Sequence, residues 1–495
     1  MLTGGIQQLT VVAGAILWLV AAPASAAAQL APPQGPPQPS STQPPQPPPP
    51  AAPAVFVRPP YLPNTANEDW SALKDPSRRT DFWDWAKYIP LGGNDRFMTL
   101  SAEIRYRPEG FRIKGTDTTP TVRDNYLLQR YLFGADVRLG PQARVFTEFQ
   151  SGIINGKIGA TRPTDQNTLD VHQAFLELRR RPGQNKRFNL RIGRQELTIG
   201  SSRLISASPG LNTKRSFDGM RLVSGRGSWT VEGAAAVLTD LRRGVFDDDP
   251  LEGVKFWGVA ASRSSPRWVK GLLGFYYLGL ENRDAQFAQG RGREVRNTFG
   301  SSWRGSGRQV DLNYDVILQA GSFNGFAVRA WALSTETGYR FTKTRWTPRI
   351  AVRVNSASGD RDAADPRLQS FNPLFPGSSY AGVMGLFGPT NMTDLTPAVT
   401  VVPRTGLIVG FERPIYWRTS TGDGLYNVDL KLLVPPTAGT GHHVGASAGV
   451  YVIWQATRHL QLTGTTMRLV SGGFLDTTIA GKGVGLYSIS TTYRF

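Results

Sequence analysis

The chain has 495 residues, with 56 Lys and Arg against 37 Asp and Glu, a formal charge of +19, and no cysteine. The missing thiols exclude disulfide frameworks and thiolate metal sites and suit an oxidising envelope compartment. Mean hydropathy is −0.27 despite an aromatic share of 10% and 54 glycines, a mixture that half-polar strands with aromatic ends produce and transmembrane helices do not.

Val11 to Ala28 is apolar and carries the small-x-small sequence Ala24-Ser25-Ala26. This predicts a Sec-type signal peptide over 1–26, although residues 1–10 contain no Lys or Arg; Pro23 and the Ala/Ser tail favour cleavage over a retained anchor. Residues 27–60 form a Pro- and Gln-rich leader that cannot bury a core and should be extended. Residues 61–96 are an aromatic lead-in (Trp70, Phe82, Trp83, Trp85, Tyr88) expected to tuck against the base of the body formed by 97–495. Charges cancel up to residue 96, where Arg58, Lys74, Arg78, Arg79, Lys87 and Arg96 face Glu68, Asp69, Asp75, Asp81, Asp84 and Asp95. The whole basic surplus therefore lies in 97–495, and a basic body suits an anionic partner.

From Phe97 onward the chain alternates. Met98, Leu100, Ala102, Ile104 and Tyr106 share one face, and Thr99, Ser101, Glu103, Arg105 and Arg107 share the other. Val310, Leu312, Tyr314, Val316 and Leu318 oppose Asp311, Asn313 and Asp315, while Ile350, Val352 and Val354 oppose Arg349, Arg353 and Asn355. A soluble barrel would give such charged inner faces no solvent; a membrane barrel turns the apolar face to lipid and the charged face to a wet lumen. Residues 97–495, at roughly 22 residues per strand and connection, make about 18 strands. The stretches 240–254, 281–295 and 356–395 do not alternate and read as loops at the outer rim, whereas 425–434 reads as a wall strand. The last strand ends on the terminal residue, with Tyr487, Ile489, Tyr493 and Phe495 on one face. Such a strand is expected to close against the first with its aromatics toward lipid and Arg494 inward.

Several phrases are more specific than alternation. Leu128-Gln-Arg130-Tyr-Leu-Phe-Gly-Ala-Asp136 is followed by Leu190-Arg-Ile-Gly-Arg194-Gln-Glu-Leu197, Gly200-Ser-Ser-Arg203 and Asn212-Thr-Lys-Arg215-Ser-Phe-Asp218-Gly219. Ser358-Gly-Asp360, Phe371-Asn-Pro-Leu-Phe-Pro376, Tyr416-Trp-Arg418, Asp423-Gly-Leu-Tyr426 and Gly472-Gly-Phe-Leu475 come later. In this order they resemble the alginate export family of outer-membrane barrels, from about Phe97 to Phe495. The resemblance implies a monomeric barrel of about 18 strands whose electropositive lumen passes an anionic uronate polymer. It implies Arg130, Arg191, Arg194, Arg203, Arg215 and Arg418 as lumen or rim cations, with Asp136, Glu196 and Asp218 as the acidic partners that hold them. Where the family carries Glu-x-Asp this chain reads Ser447-Ala-Gly449, which withdraws an acidic gate or second ion site there. A terminal aromatic strand also resembles the signal that barrel-assembly machinery recognises.

Other chemistry is thin. Asp360, Asp362 and Asp365 could offer oxygens to Ca²⁺, but their spacing departs from a calcium loop and a solvated loop is the better reading, as it is for Asp247-Asp-Asp249. The four histidines, His172, His442, His443 and His459, show neither metal-ligand spacing nor a nucleophile motif, so no enzyme is expected. The run Arg291, Arg293, Arg296, Arg304, Arg308 resembles a nucleic-acid patch by charge alone, and a rim facing lipopolysaccharide suits it better. The expected protein is a passive outer-membrane conduit for an anionic polysaccharide, served by periplasmic secretion partners. An anion-selective porin for small acidic solutes and a plugged adhesion barrel are the alternatives.

Overall fold

Period-two alternation becomes the wall of a closed sheet. The computed structural model describes residues 56–495, apart from 94, 114–120, 160, 181–185, 201–202, 266–269, 378–384, 386, 440 and 477–482. The signal peptide and most of the Pro-rich leader therefore lie outside the described residues.

Eighteen antiparallel strands follow in chain order among the described residues. They are β1 (Arg96–Ile113), β2 (Val122–Leu139), β3 (Ala143–Asn155), β4 (Asn167–Arg179), β5 (Lys186–Gln195) and β6 (Phe217–Arg226). Next come β7 (Trp229–Asp240), β8 (Asp249–Ser265), β9 (Lys270–Phe287), β10 (Gly290–Ser306), β11 (Val310–Phe323) and β12 (Phe326–Arg340). The last six are β13 (Arg349–Ala357), β14 (Met392–Arg404), β15 (Leu407–Glu412, resumed as Ile415–Arg418 beyond Pro414), β16 (His443–Gln455), β17 (Leu460–Ser471) and β18 (Val484–Arg494). Each pairs with its neighbours, and β18 returns to β1, with Arg494 opposite Glu103 and Val484 opposite Ile113. Closure leaves no edge, the condition for strands to live in hydrocarbon. Among the described residues no helix is long and apolar enough to cross a membrane.

The outward face is apolar: Phe133, Phe275, Phe299, Leu318, Ile350 and Ile489 each leave half or more of their surface open. Inward, Glu103, Arg130, Asp136, Arg144, Glu177, Glu294, Arg296 and Asp315 are all buried. Turns as short as 227–228, 307–309 and 405–406 close one end, and the loops 196–216, 358–391 and 419–442 rise from the other. By the rule for bacterial barrels the short-turn end, where both barrel termini lie, is periplasmic.

Two of the expectations change. Residues 281–295 are a tall hairpin of β9 and β10, bulged between Asn282 and Ala285, and not a loop. Above the lipid the exposed face carries Asp284, Gln286, Arg291 and Arg293 while Ala285, Phe287 and Glu294 are buried on the other, so the apolar-outward alternation is lost while the backbone ladder continues; Arg291–Asp284 and Arg293–Glu281 pairs decorate the exposed face. Residues 425–434 are not a wall strand. Leu425–Tyr426 and Leu432–Val434 form a short hairpin within the 419–442 loop, turned where Leu430 takes φ +60°.

The lead-in enters the periplasmic end. Thr65 donates its hydroxyl to Glu148 Oε2 at 2.9 Å, Arg144 holds Ala66 O at 2.8 Å, and Arg138 holds Glu68 O at 3.1 Å. Trp83 stacks on Phe495 at 3.8 Å and donates its indole N–H to the Tyr493 hydroxyl at 2.7 Å. The terminal aromatic is thus partly covered by the chain's own beginning.

Candidate functional site

Two outer loops fold into the barrel. The 196–216 loop and the 358–391 loop run side by side inside it: Ser206 N donates to Phe375 O at 3.0 Å and Phe375 N to Leu204 O at 2.9 Å. Between them and the wall lies an apolar core. Leu197, Leu204, Ile205, Phe371 and Phe375 bury against inward small and aromatic residues of the strands, including Phe217, Ala234, Ala236, Phe256, Ala330 and Ala332. Phe375 meets Phe217 and Phe256 edge to face at 5.5 and 6.2 Å. Inward alanines on β7 and β12 leave room for this plug; larger side chains there would collide with it.

The motif residues build that junction. Arg194 grips Asp218 with two hydrogen bonds of 2.9 and 3.0 Å and also reaches Val171 O and Asp248 O, both at 3.1 Å. Gln195 donates across to Gly219 O at 3.3 Å, and a side chain at Gly219 would stand 2.2 Å from Ala235 O. Glu196 takes the buried Lys214 ammonium at 2.8 Å and His172 Nε2 at 3.0 Å, and Lys214 also donates to Pro63 O of the lead-in at 2.8 Å. The plug from above and the lead-in from below therefore meet at one node.

The other sequence-derived cations are equally engaged. Arg130, buried, binds Glu103 through Nε at 2.7 Å and the loop carbonyls of Pro209 and Leu211 at 2.8 Å each. Arg191 forks onto Glu177 at 2.7 and 3.0 Å over the Phe175 ring. Arg203 spans from the loop to the wall, pairing with Asp315 and with Asn313 at 3.1 Å. Arg215 links three loops, reaching Pro376 O and Asp429 at 2.8 Å each. Arg418 lies 3.6 Å over Phe474 and donates to the carbonyls of Gly439 (2.9 Å), Gly441 (2.7 Å) and Asp423 (3.1 Å). Of the three expected acidic partners only Asp218 receives a motif arginine; Asp136 instead takes Arg144 at 3.0 Å and Arg138 at 3.4 Å. Guanidinium reach, not nearness in sequence, sets these pairs.

The alternating pattern of β1 puts two further cations inside, without assigning them a role. Arg105 donates to Leu211 O at 2.7 Å and, more weakly, to Pro209 O and Gly210 O at 3.4 Å; Arg107 reaches Gly210 O and pairs with Glu109. Arg304 of β10 holds Gly200 O at 3.1 Å from the opposite wall. The 196–216 loop thus crosses the lumen, tethered to β1 and β2 on one side and to β10 and β11 on the other.

Two sets of side chains, one of two carboxylates with a histidine and one of three carboxylates, come close enough to share a cation. In the first, Glu148, His172 and Glu196 gather at the central node, where the Lys214 ammonium already supplies positive charge. In the second, Asp170, Asp247 and Asp248 converge, but Asp170 accepts the backbone N–H of Asp247 and Asp248 at 2.9 Å each. Asp247 and Asp248 are thus half-buried in a structured turn and not in the solvated loop that the sequence suggests. Asp360, Asp362 and Asp365 do not converge among the described residues. Asp360 is buried against Gln289 and the 419–442 loop, while Asp362 and Asp365 cap local turns through Ala364 N at 3.0 Å and Arg367 N at 2.9 Å.

A closed eighteen-stranded barrel with a lipid-facing apolar band, a polar interior and an inward constriction loop is a channel of the outer membrane. The alginate export family model matches residues 96–480, and the chain belongs to that family. No curated protein matches it. Among solved structures it is similar to a BenF-like porin from Pseudomonas fluorescens Pf-5, at TM-score 0.55 and 9% identity, over 80% of this chain and 98% of that one. It is similar to OpdK of Pseudomonas aeruginosa, solved with vanillate, at TM-score 0.53 and 10% identity over 80% and 98% of the two chains. OccAB1 of Acinetobacter baumannii gives TM-score 0.53 and 11% identity over 83% and 98%.

Proposed function

We propose that this outer-membrane channel passively exports an anionic, uronate-rich polysaccharide delivered by periplasmic partners, and that it catalyses no reaction. The observation that carries the reading is how three inward arginines are held. Arg304 and Arg418 give their hydrogen bonds to backbone carbonyls, Arg105 gives its own to backbone carbonyls and the neutral side-chain amide oxygen of Asn212, and among the described residues none of the three forms an ion pair. Carbonyls orient a guanidinium without cancelling its charge, so the passage keeps a positive potential. A polyuronate presents one carboxylate per sugar, and spaced cations that bind weakly let such a chain slide where one tight site would trap it.

A second reading, an anion-selective porin for small acids, draws on the loop that narrows the lumen and on the likeness to a porin solved with vanillate. Planar-bilayer recording under asymmetric salt separates the two. The exporter should be anion-selective and blocked by uronate oligomers more strongly as they lengthen, whereas the porin should show no dependence on length. Replacing Arg105 and Arg304 by Gln should move the reversal potential toward cation preference. Cation selectivity in the unaltered protein, without length-dependent block, would sink the export reading.

A further inference from the structure

On the lipid-facing surface, at the outer end of β16, β17, β18, β1 and β2, lies a cavity of about 790 Å³. One cross-strand row crosses it. Ala448 stands opposite Arg468, Arg468 opposite Gly485, Gly485 opposite Arg112, and Arg112 opposite Arg123. Residues directly opposite in a sheet share a face. That face is the outer one, because Tyr106 on β1, Phe133 on β2, Val470 on β17 and Ile489 on β18 have the same parity and are exposed.

The next row toward the membrane centre is apolar or small: Phe411, Val450, Thr466, Tyr487 and Gly110. The Tyr487 ring lies across Gly110, where a Cβ would stand 1.9 Å from it, and its hydroxyl donates to Asn125 at 3.0 Å. At Gly485 the position of a Cβ opens on empty space. The result is a notch between Arg468 and Arg112, two strand spacings or roughly 10 Å wide, with a greasy floor below it.

Three guanidiniums in one exposed row repel one another, and among the described residues none of them has an ion pair. Arginine on the lipid face is tolerated only near an interface. Gly485 lies nine residues up β18 from Arg494, about 23 Å along the membrane normal for a tilted strand, which puts the row at the edge of the apolar band. Lipid headgroup phosphates lie at that level, and planar forks match phosphate oxygens two at a time. We propose that this notch binds the phosphorylated, multiply acylated glycolipid of the outer leaflet, the lipid A portion of lipopolysaccharide. Arg112, Arg123 and Arg468 take its phosphate, and the Gly485 notch and the Tyr487, Val450 and Phe411 floor take an acyl chain. The assignment rests on outer-membrane placement and not on the exported substrate.

Native mass spectrometry of the detergent-solubilised protein tests it, with bis-phosphorylated lipid A and phosphatidylglycerol added separately. The protein should retain one lipid A, and replacing Arg112, Arg123 and Arg468 by Ala should weaken retention tenfold or more. Gly485→Trp, whose Cβ would have no atom within 4 Å, fills the notch and leaves the arginines in place, so it should also weaken retention and keeps the test alive should the triple variant not fold. The heat-dependent electrophoretic shift reports folding, and conductance should stay unchanged because these side chains point away from the lumen. Equal retention by a folded variant, or equal affinity for phosphatidylglycerol, overturns the assignment.

Discussion

Phe375→Ala should unlatch the plug. Phe375 is 8% exposed and packs its ring against Phe217 and Phe256, which are 0% and 2% exposed. Truncating a buried Phe costs about 3–5 kcal/mol through lost transfer energy and a residual cavity. The two backbone hydrogen bonds that join Phe375 to Leu204 and Ser206 survive the substitution, so the loss falls on the docking of the loop. About 3 kcal/mol lowers the ratio of docked to undocked loop by roughly two powers of ten. The wall is untouched, because its ladders do not pass through Phe375, and the folded barrel should keep its heat-dependent electrophoretic shift. Single-channel recording should therefore show frequent steps to a larger conductance, while Phe375→Leu, which keeps most of the volume, should remain close to the parent. A folded Phe375→Ala barrel with an unchanged current trace would refute the claim that these loops set the constriction.

Lys214→Met should cost about 3 kcal/mol, because it leaves the mostly buried Glu196 with His172 alone and frees Pro63 O; protease nicking of the 196–216 loop would register it, and unaltered protection would count against the node. Trp83→Ala removes the stack on Phe495 and the bond to Tyr493, worth about 1–3 kcal/mol together, so trypsin should cut the lead-in sooner while the barrel stays intact. Arg194→Glu would set a carboxylate against Asp218 and Asp170, and its expected outcome is a loss of folded protein at outer-membrane assembly, measured by electrophoretic yield, before any change of selectivity. Burial, reinforced by neighbouring Asp423, pushes Asp360 up to about 6. A carboxyl raised in the folded state stabilises it fully below its unfolded value near ~4 and loses that contribution as pH rises through about 6. Proteolysis of the 419–442 loop should then be slower at pH 4.5 than at pH 7.5, and Asp360→Asn should stay protected at both; a wild-type loop cut equally at both would reject the coupling.

Much of the wall was legible because lipid imposes a local rule. Ile104 and Tyr106 alternate with Glu103 and Arg105 since each side chain must meet either hydrocarbon or the interior, and two residues suffice to display the choice. Above the lipid the rule lapses, which is why the hairpin at 281–295 reads as a loop although its ladder is complete. The hairpin at 425–434 shows the converse: its apolar residues alternate because they pack inside a loop, and composition cannot separate that from facing a membrane.

The sequence by itself determined that this is an outer-membrane barrel, with a closing strand at Val484–Phe495 and a family signature in RQEL, SFDG and FNPLFP. Those facts are local, carried by periodicity and short motifs. Only the tertiary structure decided where the arginines turn. Arg130 finds Leu211, and Arg215 finds Asp429 across 214 residues of chain. Such partners are chosen when loops fold back through a closed cylinder, and no period in the sequence records that return. The same holds for Arg112, Arg123 and Arg468, far apart in the chain, which closure of the barrel sets in one row because the last strands and the first become neighbours.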